Sequence, residues 1–263
     1  MIRHFLDLKD IDKIDLRKIL TFANKVKKHP KKYSSIMKNK SLGLLFQKQS
    51  TRTRLSFITG FQKLGGNFIV LNSDEIGFGV RESTGDLLKT MAQYLDFLMI
   101  RNDNHKQLIE LASLNILPII NGLSNYSHPC QILSDIFTIE EHLGKIENRT
   151  IAWIGDFNNV LTSLIQASQI FKFKLNISGP KILLKNHFIG LIKNKSKYIH
   201  FYEDVTMGVK GADCVMTDAW ISMGEKNIKS KKKLFRKFQV TDEVMKSAKK
   251  NAIFMHCLPA HRN

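Results

Sequence analysis

The sequence contains few cysteines and no long apolar run, and each shortage excludes a class of protein. Its 3 cysteines in 263 residues are too few, and odd in number, for a disulfide framework, so we expect reduced thiols in a cytoplasmic protein. No apolar run approaches the ~18 residues of a membrane-spanning helix, and the charged start 1–7 lacks the apolar core of a signal peptide. Without a fixed-period repeat or a low-complexity linker, the chain is expected to form one large or two smaller globular domains.

Acidic residues are also scarce, at 23 against 41 lysines and arginines, which gives a net charge of +18. Such a charge is typical of nucleic-acid-binding proteins, and it also attracts small anionic substrates. The lysines are scattered, and the dense clusters at 27–32 and 229–233 lack interleaved aromatic residues, so we interpret them as loops or solvated helix faces. We therefore expect neither a nucleic-acid nor a membrane partner, and nucleic-acid binding stays the least favoured alternative.

Short apolar segments alternate with segments of helical periodicity along the whole chain. The predicted strands are 42–46, 68–71, 97–100, 117–120, 150–154, 174–178, 214–217 and 253–256. The predicted helices are 14–26, 53–64, 83–95, 106–114, 159–171 and 242–249. Ser83 and Asp86 form a capping box at the start of the third helix. This alternation predicts an α/β fold in which parallel sheets carry helices on both faces.

A boundary between two α/β halves is expected near residues 130–148. The segment 131–146 is apolar at helical spacing and precedes a new strand, so we interpret it as a connecting helix. The predicted fold is thus two doubly wound parallel-sheet domains, residues 1–130 and 131–263. In open α/β sheets, ligands bind beyond the carboxyl ends of the strands. A functional site is therefore expected at those ends.

The segment Ser50-Thr51-Arg52-Thr53-Arg54 follows the first predicted strand and opens a predicted helix. Three hydroxyls and two guanidiniums gather where free backbone N–H groups and the positive end of the helix dipole favour a phosphate. Arginine adds forked, charge-assisted hydrogen bonds that match phosphate oxygens. The alternative is a plain Ser/Thr N-cap with solvated arginines, and this segment alone leaves both interpretations open.

Polar clusters follow other predicted strands in both halves. They are Arg101, 128–131, 155–159, 218–224 and 256–262. Each one alone has an ordinary explanation, such as a loop histidine, a helix-capping aspartate or a small buried cysteine. Five clusters at strand ends favour one shared cleft over five coincidences.

Four motifs of the chain resemble those of the ornithine carbamoyltransferases, in the same order and at the same spacing. They are Ser-Thr-Arg-Thr-Arg at 50–54, His-Pro-x-Gln at 128–131, Asp-x-Trp-x-Ser-Met-Gly at 218–224 and His-Cys-Leu-Pro at 256–259. The first two motifs are shared with aspartate carbamoyltransferases, and the last two select ornithine. The resemblance runs from about residue 2 to the last residue.

The resemblance implies two doubly wound domains with the active site in the cleft between them, in a homotrimer. It also implies transfer of the carbamoyl group from carbamoyl phosphate to L-ornithine, which gives L-citrulline and phosphate and belongs to arginine and citrulline metabolism. The reaction needs no covalent enzyme intermediate, and we expect no organic cofactor. A lone His256–Cys257 pair is a poor structural zinc site, so we expect no native metal.

The first half carries the residues that the resemblance assigns to carbamoyl phosphate. The assigned roles are phosphate binding by Ser50, Thr51, Arg52 and Thr53, bridging of phosphate and carbamoyl group by Arg101, polarisation of the carbamoyl oxygen by His128, and binding of the carbamoyl amide by Gln131. Attack by an amine builds negative charge on the carbamoyl oxygen. Preformed donors aimed at such charge contribute on the order of 2.7–4 kcal/mol each.

The second half carries the residues that the resemblance assigns to ornithine. The assigned roles are binding of the α-carboxylate by Asn159, binding of the α-ammonium by Asp218 with Ser222 and the Met223 backbone, placement of the δ-amine near Cys257, and a contact from the Leu258 carbonyl to the carbamoyl nitrogen. Asp218 and Cys257 join Arg101 and His128 as the expected catalytic residues.

Two alternatives stay open within this family. An aspartate carbamoyltransferase is disfavoured because the segment 218–224 suits a substrate ammonium better than a second carboxylate. Family members usually continue for some tens of residues beyond the position of Asn263, with a further arginine near carbamoyl phosphate and a final helix. A C-terminally short, weakly active or inactive relative is therefore the other alternative.

Overall fold

The computed structural model describes residues 2–48, 50–72, 76–77, 82–184, 188–190, 197–221, 228–258 and 260. The chain divides into two compact units, Met1–Leu133 and Ser134–Asn263. Each unit is built around its own parallel sheet. Among the described residues, no helix combines the length and the apolar character that a membrane crossing needs.

The first unit alternates helices and strands around a four-stranded sheet. Its strands are β1 Ser41–Phe46, β2 Asn67–Asn72, β3 Phe97–Arg101 and β4 Ile119–Leu123. Its helices are α1 Lys13–Lys28, α2 Thr51–Lys63, α3 Thr84–Met91, α4 His105–Ser113 and the start of α5 Pro129–Leu143, with 3-10 helices at Leu8–Asp10 and Pro30–Tyr33. The order β2-β1-β3-β4 is parallel throughout, so the carboxyl ends of the four strands lie at one edge.

The centre of this sheet is apolar on both faces, which places helices on both. In β3, Leu98, Met99 and Ile100 are at most 1% exposed. One face packs against α3 and α4, and the other packs against the aromatic side of α2. Ser83 Oγ accepts a hydrogen bond from the Asp86 N–H at 3.1 Å, so α3 begins where the capping box predicts.

The second unit repeats this plan around a five-stranded parallel sheet. Its strands are β5 Thr150–Ile154, β6 Lys174–Ser178, β7 Ile199–Tyr202, β8 Cys214–Thr217 and β9 Ile253–His256. Besides the rest of α5, its helices are α6 Asn159–Phe171, α7 Val205–Val209, α8 Ile228–Phe235 and α9 Asp242–Met245, with 3-10 helices at Lys181–Leu183 and Arg236–Phe238. The order β7-β6-β5-β8-β9 places β5 in the middle, where its residues 151–154 are at most 1% exposed.

Each sheet is fastened at its amino end by one aspartate. Asp96, just before β3, donates its N–H to the Ser41 carbonyl at 2.9 Å, and its carboxylate accepts from the Ser41 N–H at 2.8 Å. Asp213, just before β8, makes the same exchange with Thr150 at 2.7 and 2.9 Å. Ser41 and Thr150 begin β1 and β5, so both units fix the register of their central strand pair in the same way.

The Asp213 carboxylate also lies in a network of charges. It accepts from Arg149 Nη1 at 3.2 Å and from Lys249 Nζ at 2.8 Å, and Asp213 is 5% exposed. Burial raises the pKa of Asp213, but the hydrogen bonds from Lys249 and Thr150, together with the two positive charges, outweigh burial and hold the pKa below its ordinary value. The ionised carboxylate therefore stabilises the second unit.

Replacing Asp213 with asparagine is expected to lower the free energy of unfolding by about 1–3 kcal/mol at pH 7, because an amide cannot replace charge-assisted hydrogen bonds. Since the folded pKa lies below the unfolded one of about 3.9, the carboxylate contributes fully above the unfolded pKa and loses its contribution as pH falls through the folded pKa. The difference in the free energy of unfolding between the variant and the unsubstituted protein, measured with urea, should therefore be smaller at pH 3 than at pH 7.

Glu203→Gln is the matched control, because Glu203 pairs with Lys181 on the surface with both side chains at least 69% exposed. Such a pair contributes about 0–1 kcal/mol. Equal stabilities of the Asp213 variant and the unsubstituted protein at pH 7 would contradict the role of the carboxylate.

The structure corrects several predicted boundaries. The strand predicted at 117–120 runs over Ile119–Leu123 instead, because Pro118 has no N–H and because Phe5 pairs with Ile120 and extends the ladder. The helices predicted at 83–95 and 242–249 end at Met91 and Met245. β7, α7 and α8 are absent from the prediction. The lysine cluster at 229–233 belongs to α8.

Candidate active site

The guanidinium of Arg101 reaches from the end of β3 to the start of α2. Its Nη1 donates to Ser50 Oγ and to Thr53 Oγ1, both at 3.0 Å. Ser50 is the N-cap residue of α2, yet its side chain makes no capping hydrogen bond. This hydroxyl is therefore directed to Arg101 and not to its own helix, which favours a binding site over a plain N-cap. We refer to Ser50, Thr53 and Arg101 as the arginine cluster.

Two more arginines lie in the first turn of α2 beside the arginine cluster. Arg52 is exposed. The Arg54 guanidinium lies 5.0 Å from the centre of the Phe46 ring, a cation–π contact that keeps it against the end of β1. With three guanidiniums at a helix N-terminus, this edge of the sheet is strongly cationic and suits a dianion.

The charge of Arg101 is only partly balanced by its surroundings. Burial lowers the pKa of Arg101, and the Asp103 carboxylate opposes this shift. Asp103 is in turn paired with Lys48, and both side chains are more than half exposed. Because Lys48 offsets Asp103, the arginine cluster keeps its net positive charge.

His128 lies just before α5, and its carbonyl accepts a hydrogen bond from the Ile132 N–H at 3.3 Å. Burial, followed by the positive charge of Arg101, lowers the pKa of the His128 imidazole to about 3. The ring is therefore neutral at physiological pH, with one nitrogen as donor and the other as acceptor. Gln131 follows within the first turn of α5 and is half-buried.

Buried polar side chains hold the loop that precedes His128. Asn121 Nδ2 donates to Ser127 Oγ at 3.1 Å and to the Leu6 carbonyl at 3.0 Å. Ser124 Oγ accepts from the Ser127 N–H at 3.1 Å. Asn121, Ser124 and Ser127 are fully buried, so the loop is fixed and His128 has a defined position.

In the second unit, the chain turns sharply at the carboxyl end of β5. Gly155 has a φ of 137°, a conformation that favours glycine, and the loop 155–158 follows. Asn158 then caps α6, because its Oδ1 accepts from the N–H groups of Val160 and Leu161 at 3.0 and 3.1 Å. Its Nδ2 is left to donate to Asp218 Oδ2 at 2.7 Å.

The Asp218 carboxylate, just after β8, is held by three donors. Besides Asn158, Cys257 Sγ donates to Asp218 Oδ1 at 2.6 Å, and the Ala219 N–H donates to the same oxygen at 2.7 Å. Asn158, Asp218 and Cys257 follow β5, β8 and β9, which are neighbours in the sheet. A half-buried carboxylate fixed in this way can bind an ammonium group. We refer to these three residues as the carboxylate cluster.

The structure brings together Asp218 and Cys257 of the predicted ornithine residues and adds Asn158. Asn159 begins α6 and is half-buried, and Leu258 is 58% exposed. The remaining predicted positions, Ser222 and Met223, lie outside the described residues. The signal for Asn158 was the adjacent pair of asparagines at a strand end, but sequence alone cannot tell which asparagine caps the helix.

The thiols differ in their surroundings. None of the three cysteines is in a disulfide, and burial raises the pKa of Cys130 to about 12 and also raises that of Cys214. Cys257 is half-exposed and belongs to the carboxylate cluster. In the described part of the chain, no group of three or more His, Cys, Asp or Glu side chains is placed to hold a metal ion.

Both units match one protein family. Residues 3–141 match the aspartate/ornithine carbamoyltransferase carbamoyl-P binding domain, and residues 147–263 match the Asp/Orn binding domain of the same family. The chain therefore belongs to the aspartate/ornithine carbamoyltransferase family. The resemblance found in the four motifs is confirmed.

Individual relatives and solved structures agree with this assignment. An ornithine carbamoyltransferase from Nitrobacter winogradskyi is 44% identical over 264 residues, which cover 99% of this chain and 86% of that protein. The structure of the Pyrococcus furiosus ornithine carbamoyltransferase matches with a TM-score of 0.91 and 35% identity over 99% of this chain and 86% of that one. The Burkholderia thailandensis ornithine carbamoyltransferase matches with a TM-score of 0.89 and 36% identity over 99% of this chain and 87% of that one. The predicted fold of two parallel-sheet α/β domains is confirmed.

Proposed function

We propose that this protein transfers the carbamoyl group of carbamoyl phosphate to the δ-amine of L-ornithine, giving L-citrulline and phosphate. The uncharged amine nitrogen attacks the carbamoyl carbon, the bond from that carbon to the bridging phosphate oxygen breaks, and the proton that the nitrogen loses ends on the released phosphate. The observation that carries the proposal is the arginine cluster, in which one guanidinium holds two hydroxyls at a helix start. Similarity to ornithine carbamoyltransferases supports ornithine as the acceptor.

Carbamoyl phosphate presents a dianionic phosphate, and we assign it to the start of α2. Ser50, Thr51, Arg52 and Thr53 supply hydroxyls, a guanidinium and helix-terminal N–H groups for its oxygens. Arg101 already holds Ser50 and Thr53 together, and it has further N–H groups for the phosphate and the carbamoyl oxygen. Thus the donors are placed before the substrate arrives, which is the condition for strong electrostatic stabilisation.

We assign His128 to the carbamoyl oxygen and Gln131 to the carbamoyl amide. The low pKa of His128 keeps its imidazole neutral, so it acts as an N–H donor and contributes no positive charge. Arg101 supplies that charge. Together they would stabilise the negative charge that grows on the oxygen as the amine attacks, at on the order of 2.7–4 kcal/mol per donor.

We assign the carboxylate cluster to ornithine, with the Asp218 carboxylate paired to the α-ammonium. Asn159, at the start of α6, would take the α-carboxylate, where the helix N-terminus favours negative charge. Cys257 would lie near the δ-amine and the Leu258 carbonyl near the carbamoyl nitrogen. The proposal keeps Ser222 and the Met223 backbone as further partners of the ammonium.

Transfer requires the δ-amine to reach the carbamoyl carbon. The two substrates must therefore meet during the reaction. That the active site lies in a cleft between the two domains stays a prediction. Carbamoyl phosphate should bind without ornithine, because its phosphate site uses residues of the first unit alone.

A coupled assay with carbamoyl phosphate and either ornithine or aspartate tests the proposed function. Citrulline formation with ornithine, and no product with aspartate, is the expected result. A carbamoylated aspartate would identify the other branch of the family, and the absence of both products would favour an inactive relative. Calorimetry with carbamoyl phosphate alone tests the binding order, and ornithine binding tightly to the free protein would contradict it.

We also propose that the chain assembles as a homotrimer and works in the cytoplasm. No residue of α2 that the structure describes is buried within the unit, and Leu55 on α2 and Ile69 on the edge strand β2 are 54% and 46% exposed. Exposed apolar groups of this kind support a subunit contact. Three cysteines without a disulfide fit a reducing compartment.

A further inference from the structure

We propose, on the basis of the carbamoyl transfer to ornithine above, that a largely buried ion pair between Asp156 and Lys231 positions Asp218 for the amino-acid substrate. Lys231 Nζ lies 2.8 Å from Asp156 Oδ2. Neither residue is among those assigned to a substrate. Both are positioning residues, which act on the binding of ornithine through the loop 155–158.

The pair is less exposed than four other ion pairs of the second unit. Its side chains are only 15% and 14% exposed, whereas at least one partner is 25% or more exposed in each of the pairs Arg149–Asp213, Lys181–Glu203, Lys246–Glu243 and Lys249–Asp213. When one partner of an ion pair shielded from water is removed, the remaining charge has no partner and the folded state is destabilised. Lys231 therefore holds α8 firmly to the loop 155–158.

Asp156 transmits this contact because its own loop is rigid. The Phe157 N–H donates to Asp156 Oδ1 at 2.8 Å, and Trp153 Nε1 donates to the Asp156 carbonyl at 3.0 Å. Trp153 and Phe157 are at most 3% exposed. Both ends of Asp156, carboxylate and carbonyl, are thus tied to the core of the second unit.

The same loop holds Asp218. Two residues after Asp156, Asn158 donates to Asp218 Oδ2 at 2.7 Å. The chain that leaves β8 is therefore tied to one short loop at two places, at Asp218 and again at Lys231. A shift of the loop after loss of the ion pair would move Asn158, and with it the carboxylate that we assign to the ornithine ammonium.

An aromatic contact also joins α8 to the segment that follows Asp218. Trp220, two residues after Asp218, stacks on Phe235 of α8 with ring centres 5.9 Å apart and planes at 18°. Lys231 Nζ lies 5.8 Å from the centre of the same Phe235 ring. Phe235 is fully buried, so the stack and the ion pair together fix α8 against the segment that begins at Asp218.

Lys231→Met is the first test, because methionine keeps most of the apolar stem and removes the charge. We expect KM for ornithine to rise about ten- to hundredfold, since small misplacements of binding groups have effects of this size, while KM for carbamoyl phosphate changes less than about twofold. Lys231→Arg should restore most of the ornithine affinity. Lys246→Met removes an exposed ion pair with Glu243 and is the matched control.

The double variant Asp156→Asn with Lys231→Met separates positioning from stability, because it leaves no unpaired buried charge. If the pair positions Asp218, the double variant keeps a raised KM for ornithine although its melting temperature recovers. Recovery of both quantities, or equal changes in the two KM values, would overturn the inference. The unsubstituted protein is measured in parallel. If neither it nor any variant forms citrulline, the proposed function fails, and this outcome is distinct from a failure of the positioning role.

Discussion

Replacing Arg101 with lysine is expected to lower kcat/KM for carbamoyl phosphate by about 10²–10³-fold, the effect of removing one preformed donor from a developing charge. The guanidinium donates to Ser50 and Thr53 from one nitrogen and keeps its other N–H groups for the substrate. An ammonium group is a compact point charge without this planar fork, so it cannot hold both hydroxyls and face the phosphate together. Initial rates at saturating ornithine and varied carbamoyl phosphate give the value.

Arg3→Lys is the control for this substitution, since Arg3 is 86% exposed and forms a surface ion pair with Asp15. Its rate constants should equal those of the unsubstituted protein. Circular dichroism would establish that the Arg101 variant is folded. If that folded variant kept kcat/KM within about threefold, the arginine cluster would be a structural contact and not a phosphate site.

The second large expected effect is the dependence of kcat/KM for ornithine on pH. We expect kcat/KM for ornithine to rise about tenfold between pH 6 and pH 7, because attack requires the uncharged δ-amine, and to flatten above about pH 8, where the α-ammonium assigned to Asp218 loses its proton. The pKa of this amine should resemble that of lysine, ~10.4, so its uncharged fraction grows in proportion to the hydroxide concentration over the whole range. Measurements at saturating carbamoyl phosphate and constant ionic strength give the slope.

His128 should add no inflection to this profile. Its pKa of about 3 means that the imidazole is already neutral at pH 5 and remains so at pH 9. An inflection between pH 5 and pH 7 that disappears in His128→Gln would show that the imidazole titrates in the working range. A flat profile between pH 6 and pH 7 would instead show that deprotonation of the δ-amine does not limit the rate.

The parts of the fold that the sequence predicts are those determined by local apolar pattern. Strands β5, β6, β8 and β9 begin and end at the predicted residues, because each carries apolar side chains, which alternate with polar ones in β6, between polar or turn residues. β7, Ile199–Tyr202, is absent from the prediction although it has four residues like β8 and β9. Its strand conformation depends on pairing with β6, which no local pattern reveals.

The candidate site shows the same division. The motif 50–54 indicates an anion site as one of two interpretations, because hydroxyls and arginines at a helix start can either bind an anion or cap the helix. The contact of Arg101 with Ser50 and Thr53 joins residues about 50 positions apart, and only the order of the strands determines it. Lys231 lies in a lysine cluster that sequence analysis interprets as solvated, and only tertiary structure distinguishes it from its neighbours.

The aspartates before β3 and β8 have a consequence for how this protein can change. Asp96 and Asp213 lock the strand pairs at the amino ends of the sheets, and the arginine and carboxylate clusters lie at the opposite ends. A mutation that remodels a cluster leaves these locks intact, so the register of the strands survives while the binding residues are exchanged. The preference for the acceptor substrate can therefore change while the fold is kept. Variant libraries confined to the carboxyl ends of the strands should retain a high fraction of folded members.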